Sequence, residues 1–365
     1  MSYITSIGTA NPENKILQNT IADFMTRAMG LNAEDERKLR ALHRMSGIET
    51  RHSVITDYSR TQHFEFYPNN GESFPSTKQR LALFQKHAVH LSVSASEKCL
   101  SKLDELKRSE ITHLVVVSCT GMYAPGLDID LVKALGLNST IERTCINFMG
   151  CYAAFNAIKL ANSFCDQHSD SKVLIVCTEL CSIHFQRENT EDNLLANSLF
   201  GDGSAALLVE GNPRSGLSLK PISFFCEIAT QGAHDMAWTV GDFGFEMRLS
   251  SYVPDVIKGG IKKLTTSLLE KIAQGFSDIS YFAIHPGGKK IVEAIETELG
   301  LTKEQNRFAY EVLRNYGNMS SPTVVFVLTE IMQSLQPLDD GKKILSFAFG
   351  PGLTLESMVL ETHYH

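Results

Sequence analysis

Short apolar runs alternate along the chain with longer stretches in which apolar residues recur at helical spacing. The runs His113–Ser118, Lys172–Thr178, Ser204–Val209, Tyr281–Ile284, Lys343–Phe349 and Leu355–Leu360 predict strands. The stretches Thr77–Leu106, Ala153–Asp166, Val253–Ile272 and Pro322–Gln333 predict amphipathic helices, and Asp35–Met45 predicts a further, highly charged one. Strands separated by helices imply an α/β protein with a parallel or mixed sheet. The most polar, turn-rich segment near mid-chain is Glu210-Gly211-Asn212-Pro213-Arg214-Ser215-Gly216, which places a boundary between residues 1–212 and 213–365. A strand-rich segment closes each part, introduced by Phe200-Gly201-Asp202-Gly203 in one and Phe349-Gly350-Pro351-Gly352 in the other. That parallel hints at two related halves.

Composition narrows the class. At 365 residues the chain can hold two packed lobes or one large α/β unit. Hydrophobic content of 43% and charged content of 21% are those of an ordinary soluble globule. A net charge of -7 argues against a general nucleic-acid binder. No apolar run approaches the ~20 residues that span a bilayer, and the N-terminus lacks a basic segment followed by an apolar core. The eight cysteines contain no Cys-x-x-Cys pair, and nothing nearby completes a tetrahedral site with Cys177 and Cys181, so no metal is expected. Several sit in apolar runs such as Val173–Cys177, as reduced, buried thiols do, which predicts a reducing, cytoplasmic setting. Neither a Gly-x-Gly-x-x-Gly pattern nor a P-loop is present, so no dinucleotide or ATP site is expected.

Three glycine-marked motifs carry candidate chemistry. Cys151 stands in Phe148-Met149-Gly150-Cys151-Tyr152-Ala153-Ala154, where Gly150 permits a close approach and the alanines open a helix. A thiol at a helix N-terminus feels the positive end of the macrodipole. His285 ends an apolar strand in Ile284-His285-Pro286-Gly287-Gly288, and Asn318 lies in Tyr316-Gly317-Asn318-Met319-Ser320-Ser321. Taken singly, each has a plain structural reading: a buried core thiol, a core or capping histidine, a turn asparagine. Together they supply a thiol, an imidazole able to activate it, and a carboxamide. Arg37, Lys38, Arg40 and Arg44 lie on the charged helix, where a solvated face is the default and a landing site for coenzyme A phosphates the alternative.

These motifs, with Ser198-Leu199-Phe200-Gly201-Asp202-Gly203-Ser204-Ala205-Ala206 and Phe349-Gly350-Pro351-Gly352-Leu353-Thr354, resemble the type III polyketide synthases, the chalcone-synthase-like branch of the thiolase-fold condensing enzymes. The five motifs occur in the family's order over residues 115–360, with weaker similarity at Ile7–Ala10 and Ser46–Arg51. The resemblance implies a five-layered αβαβα fold of two duplicated halves and a homodimer. It implies Cys151, His285 and Asn318 as the catalytic trio, and Phe200 at the junction of active site and coenzyme A tunnel. In that scheme a Cys151 thiolate paired with a His285 imidazolium takes up an acyl-CoA starter. His285 and Asn318 then stabilise the charge that develops as malonyl-CoA loses its carboxylate. No cofactor beyond the coenzyme A thioesters is implied, and Lys38 with Arg37, Arg40 and Arg44 would meet the coenzyme.

Departures from the plant enzymes bear on product choice. Ala124 stands where they project a methionine into the partner's cavity, and His184 where they carry a small threonine. Cys181 and Thr120 match positions that border an acyl tunnel in long-chain relatives, with Ser320 nearby. Trp238, Phe245 and Met247 bring bulk to the cavity wall. These substitutions point to a fatty acyl starter and an alkylpyrone or alkylresorcinol product. Three alternatives stay open on sequence: a ketoacyl-ACP synthase III-like enzyme using carrier-protein thioesters, a papain-like peptidase, and a non-catalytic acyl-binding protein of the same fold. Pro286-Gly287-Gly288 after the histidine disfavours the first, and the missing Cys-Gly-Ser-Cys signature disfavours the second.

Overall fold

The computed structural model describes residues 1–68, 73–103, 105–230, 235–250 and 253–365. Nine strands form its main sheet: β1 (Tyr3–Ala10), β4 (His113–Ser118), β5 (Glu142–Asn147), β6 (Lys172–Leu180), β7 (Asp202–Glu210), β8 (Leu217–Ile228), β11 (Ile279–Ile284), β12 (Lys343–Gly350) and β13 (Thr354–Tyr364). Two ribbons flank it, β2 (Lys15–Leu17) with β3 (Thr50–His52), and β9 (Met236–Gly241) with β10 (Gly244–Leu249). The main order is β11-β12-β13-β8-β1-β7-β6-β4-β5, and its two parts meet at a single register pair, Ile4 with Leu219.

The parts repeat one another. In the first, β1 and β6 both run antiparallel to β7, and β4 runs parallel to β6. In the second, β8 and β12 both run antiparallel to β13, and β11 runs parallel to β12. β5 extends the first part by one parallel edge strand.

Alternation along each strand assembles the layers, because successive side chains point to opposite faces. On β6, Val173, Ile175 and Cys177 face an inner core, whereas Leu174 and Val176 face an outer one. On β12, Ile344 and Ala348 face the inner core, whereas Leu345 and Phe347 face a third. The inner core holds α5 (Ala153–Gln167) and α10 (Thr323–Ser334), two helices buried between the half-sheets. One outer core is covered by α1 (Gln18–Met29) and α3 (Thr77–Leu100), the other by α7 (Val253–Glu270) and α8 (Lys289–Leu299). These are the five layers the resemblance implies.

All six predicted strands are present, and most run one to four residues longer than their sequence pattern. The helix predicted over Thr77–Leu106 ends at Leu100, where a polar turn begins; Asp104 lies outside the described residues. The charged helix, α2 (Ala33–Met45), starts two residues earlier than predicted because Asn32 caps it, accepting from the N–H groups of Glu34 and Asp35 at 2.9 Å. Three further helices complete the parts used below: α4 (Leu127–Ala134), α6 (Glu191–Leu199) and α9 (Arg307–Tyr316).

Candidate active site

Both central helices begin at one cavity. Cys151 occupies a single tight turn, Gly150–Tyr152, that runs directly into α5. Gly150 is required there: its φ is +80°, and a Cβ would lie 2.3 Å from Pro351 Cδ. Asn318 precedes α10 after Gly317, whose φ is +70° and whose missing Cβ leaves room for the Leu199 carbonyl. Ser320 takes a left-handed φ of 59°, costly for a residue with a side chain, and faces the same cavity. His285 follows the last residue of β11, fixed by its N–H donating to the Phe347 carbonyl at 2.9 Å.

Cys151, His285 and Asn318 all line one cavity. Cys151 Sγ lies 4.0 Å from Asn318 Nδ2. The carboxamide is locked: its Oδ1 accepts from the Ser320 N–H at 2.8 Å, and its Nδ2 donates to the Gly287 carbonyl at 3.1 Å. Both ring nitrogens of His285 are buried and have no partner among the described residues. Buried polar atoms are rarely left so unless a ligand meets them.

Burial works against the expected thiolate–imidazolium pair. Burial pushes the Cys151 thiol up to about 11, more than the hydrogen bonds from Ser320 and Asn318 pull it down. Burial alone takes His285 down to about 3. Both groups are therefore neutral at physiological pH.

A carboxylate that the sequence reading passed over stands behind the cavity. Glu179, fully buried, accepts from the Cys119 and Thr120 N–H groups at 2.9 and 3.1 Å, from Thr120 Oγ1 at 2.7 Å and from Ser321 Oγ at 2.6 Å. Burial raises its pKa against these donors. Cys119 Sγ bridges from Glu179 to Ser320 Oγ, 3.2 Å from each.

Of the predicted cavity residues, Thr120, Cys181, Phe200, Trp238, Met247 and Ser320 line the chamber. Trp238 is anchored by its indole N–H donating to the Cys119 carbonyl at 2.7 Å. Phe200 is bridged to Asn318 through the backbone. His184 and Phe245 line a smaller neighbouring cavity instead, stacked with ring centroids 4.2 Å apart. The Phe245 N–H donates to His184 Nδ1 at 2.9 Å, so Nε2 carries the proton and donates to the Thr120 carbonyl at 2.6 Å. Both nitrogens are used, and His184 is a structural pin. Ala124 is solvent-exposed, outside its own chain's cavity.

A larger outer chamber shares Leu249, Gly287 and Ile291 with the inner one. Lys38, Ala41, Leu42 and Met45, one face of α2, line it. Arg37, Arg40 and Arg44 project from other faces: the Arg40 guanidinium pairs with Asp23 and Glu36 at 2.8 Å, and Arg37 Nε donates to the Ala33 carbonyl at 3.1 Å. The basic residues the sequence reading missed are Lys289 and Lys290, at the start of α8 on the chamber rim. Their signal was available, a lysine pair directly after the glycines that follow His285.

The description "Chalcone and stilbene synthases" fits both parts of the chain, its N-terminal domain matching residues 1–213 and its C-terminal domain residues 225–363. The chain belongs to this family, the type III polyketide synthases. The alpha-pyrone synthesis polyketide synthase-like Pks18 of Mycobacterium tuberculosis is 32% identical over 99% of this chain and 91% of its own. PKS-I from the brown alga Ectocarpus siliculosus superposes with a TM-score of 0.91 at 28% identity, covering 99% of this chain and 98% of that one. The C-terminal type III domain of the Dictyostelium hybrid Steely1 gives 0.90 at 31% identity over 99% of each chain. Polyketide synthases are condensing enzymes of the acyltransferase type, and this one has the thiolase-like fold of its relatives. That membership answers the peptidase and binding-protein alternatives. Among the described residues, no helix is long and apolar enough to cross a membrane.

Proposed function

We propose that this polyketide synthase loads an aliphatic acyl group from coenzyme A onto Cys151 and extends it with malonyl-CoA to an alkyl-α-pyrone or alkylresorcinol. One observation carries the reading: a thiol, an imidazole with both nitrogens free and a locked carboxamide line one cavity. Cys151 sulfur attacks the starter's thioester carbonyl as its proton passes to His285. The carbon–sulfur bond to coenzyme A breaks, and the departing thiolate takes that proton. Malonyl-CoA then loses carbon dioxide. The electron pair moves onto the thioester oxygen, which the His285 and Asn318 N–H groups stabilise, acting as donors already in place. The resulting carbanion attacks the acyl carbonyl on Cys151, a carbon–carbon bond forms, the bond from the acyl carbon to sulfur breaks, and the sulfur leaves as an anion that takes a proton from solvent.

Trp238, Met236, Met247 and Leu249 give the chamber an apolar wall suited to an alkyl chain, and the alpha-pyrone in the mycobacterial relative's name supports the pyrone ring of the product. Phe200 lines the inner chamber and the smaller cavity beside it, where it shields the site. Lys38, Lys289 and Lys290 meet the coenzyme's phosphates, and no cofactor besides the thioesters takes part. The enzyme works as a homodimer of chains with halves 1–212 and 213–365. It acts in the cytoplasm, in keeping with its eight free cysteines.

The test is incubation with malonyl-CoA and a panel of acyl-CoAs, read by mass spectrometry. Medium or long aliphatic starters should be extended faster than aromatic ones, without any carrier protein. Equal or better use of p-coumaroyl-CoA would refute the aliphatic preference.

A further inference from the structure

The last carbonyls of a helix have no partner within it. In α6 those of the final three residues, and that of Phe200 beyond them, are all met from outside. Arg51 Nη1 donates to the Asn197 carbonyl at 2.8 Å and to the Phe200 carbonyl at 2.6 Å. Gln18 Nε2 donates to the Ser198 carbonyl at 2.7 Å. The third donor is the backbone N–H of Asn318, 2.9 Å from the Leu199 carbonyl, and the Gly201 N–H returns to the Asn318 carbonyl at 2.9 Å. Arg51 Nε donates to Gln18 Oε1 at 2.9 Å, which ties the two outside donors together. The peptide that carries the candidate oxyanion donor is thus one rung of the cap on α6.

Arg51, on β3, is buried, and burial lowers its pKa only to about 10, so it stays charged near neutral pH. A cation suits the place, since a helix C-terminus is the negative end of its dipole and charged donors make the stronger hydrogen bonds. The acidic groups that favour its charge are the buried Asp202 carboxylate and the Tyr58 hydroxyl. Among the described residues, no other side chain holds two of these carbonyls at once.

We propose that Arg51 is a positioning residue of the condensation. Through the end of α6 it fixes the Asn318 peptide, and with it the carboxamide opposite Cys151, and it fixes Phe200 on the wall of the inner chamber. Arg51 touches no reacting atom. Its effect is geometric, and displacing a catalytic group by about 1 Å can cost on the order of 100-fold in rate. The proposal rests on the role given above to Asn318.

The experiment compares Arg51→Gln, Arg51→Lys and Gln18→Met with the parent enzyme. Three quantities are read: kcat and KM for malonyl-CoA decarboxylation, the rate of Cys151 alkylation by iodoacetamide, and thermal unfolding. Arg51→Gln should lower the decarboxylation kcat by about 100-fold and leave KM and alkylation near their parent values. Arg51→Lys should regain part of the loss. Combined with Asn318→Ala, Arg51→Gln should add little, because both act on one group. Decarboxylation and alkylation falling together, an additive double variant, or undiminished decarboxylation would each overturn the proposal. Should Arg51→Gln not fold, Gln18→Met gives the same reading from the other side of the cap, with a fall of roughly tenfold in kcat expected and none overturning it. Undiminished decarboxylation in Asn318→Ala would instead defeat the role of Asn318 itself.

Discussion

The turns that lead into the two central helices share a backbone device and differ in how they hold their side chains. Ahead of α5, Phe148 and Gly150 take φ values of 59° and 80° and present Cys151; ahead of α10, Gly317 and Ser320 take 70° and 59° and present Asn318. The Asn318 carboxamide is tied at both ends, to the Ser320 N–H and the Gly287 carbonyl. The Cys151 sulfur lies 3.9 and 4.0 Å from that carboxamide, too far for a strong bond. A repeated fold has thus been divided between two tasks. The group that must form and break bonds is left loose among apolar walls. The group that must stabilise charge is fixed before the charge arrives, which is what makes such donors effective.

Removing the fixed group should break this division most visibly. Asn318→Ala is expected to slow malonyl-CoA decarboxylation by roughly 100- to 1000-fold while iodoacetamide still alkylates Cys151 at close to the parent rate. Loss of both together would mean that the two turns act as one unit.

The pH dependence of the loose group sharpens the contrast. With the thiol near 11 and the imidazole near 3, the thiolate fraction of the empty enzyme should grow about tenfold per pH unit across the neutral range. Alkylation should rise with pH at that slope, with no inflection between pH 6 and 8. A plateau above pH 7 would reveal a preformed thiolate–imidazolium pair and contradict the electrostatics described here.

The smallest effect belongs to the outer chamber. Lys289→Ala or Lys290→Ala should raise the KM for coenzyme A thioesters by roughly two- to fivefold, the scale of an exposed ion pair, with kcat unchanged and the difference shrinking as salt is added. Arg40→Ala should leave KM as it is, since Arg40 is held by Asp23 and Glu36.

Much of this was legible in the chain itself. Cys151 and Asn318 each sit beside a glycine whose positive φ the turn needs, and His285 ends an apolar strand ahead of Pro286-Gly287-Gly288, so local sequence marked them. The buried strands β4, β6, β7, β11, β12 and β13 announce themselves as apolar runs. β5 does not, because this edge strand is mostly exposed and reads Glu-Arg-Thr-Cys-Ile-Asn. β8 was hidden by the proline and polar residues it carries. The basic helix misled because sequence shows that Arg37, Lys38, Arg40 and Arg44 are near each other but not which face of α2 lines the chamber; only Lys38 does so. The protonation of Cys151 and His285 follows from burial, which depends on walls brought from distant parts of the chain. Glu179 and Arg51 were invisible for the same reason, since their partners lie far away in sequence.

The central claim is that Cys151 carries the growing chain. Incubation with an aliphatic acyl-CoA in the absence of malonyl-CoA, followed by proteolysis and mass spectrometry, should find one acyl thioester, on the peptide containing Cys151, and none in Cys151→Ala. An acyl group on Cys119 or Cys181 instead, or polyketide still formed by Cys151→Ala, would contradict it.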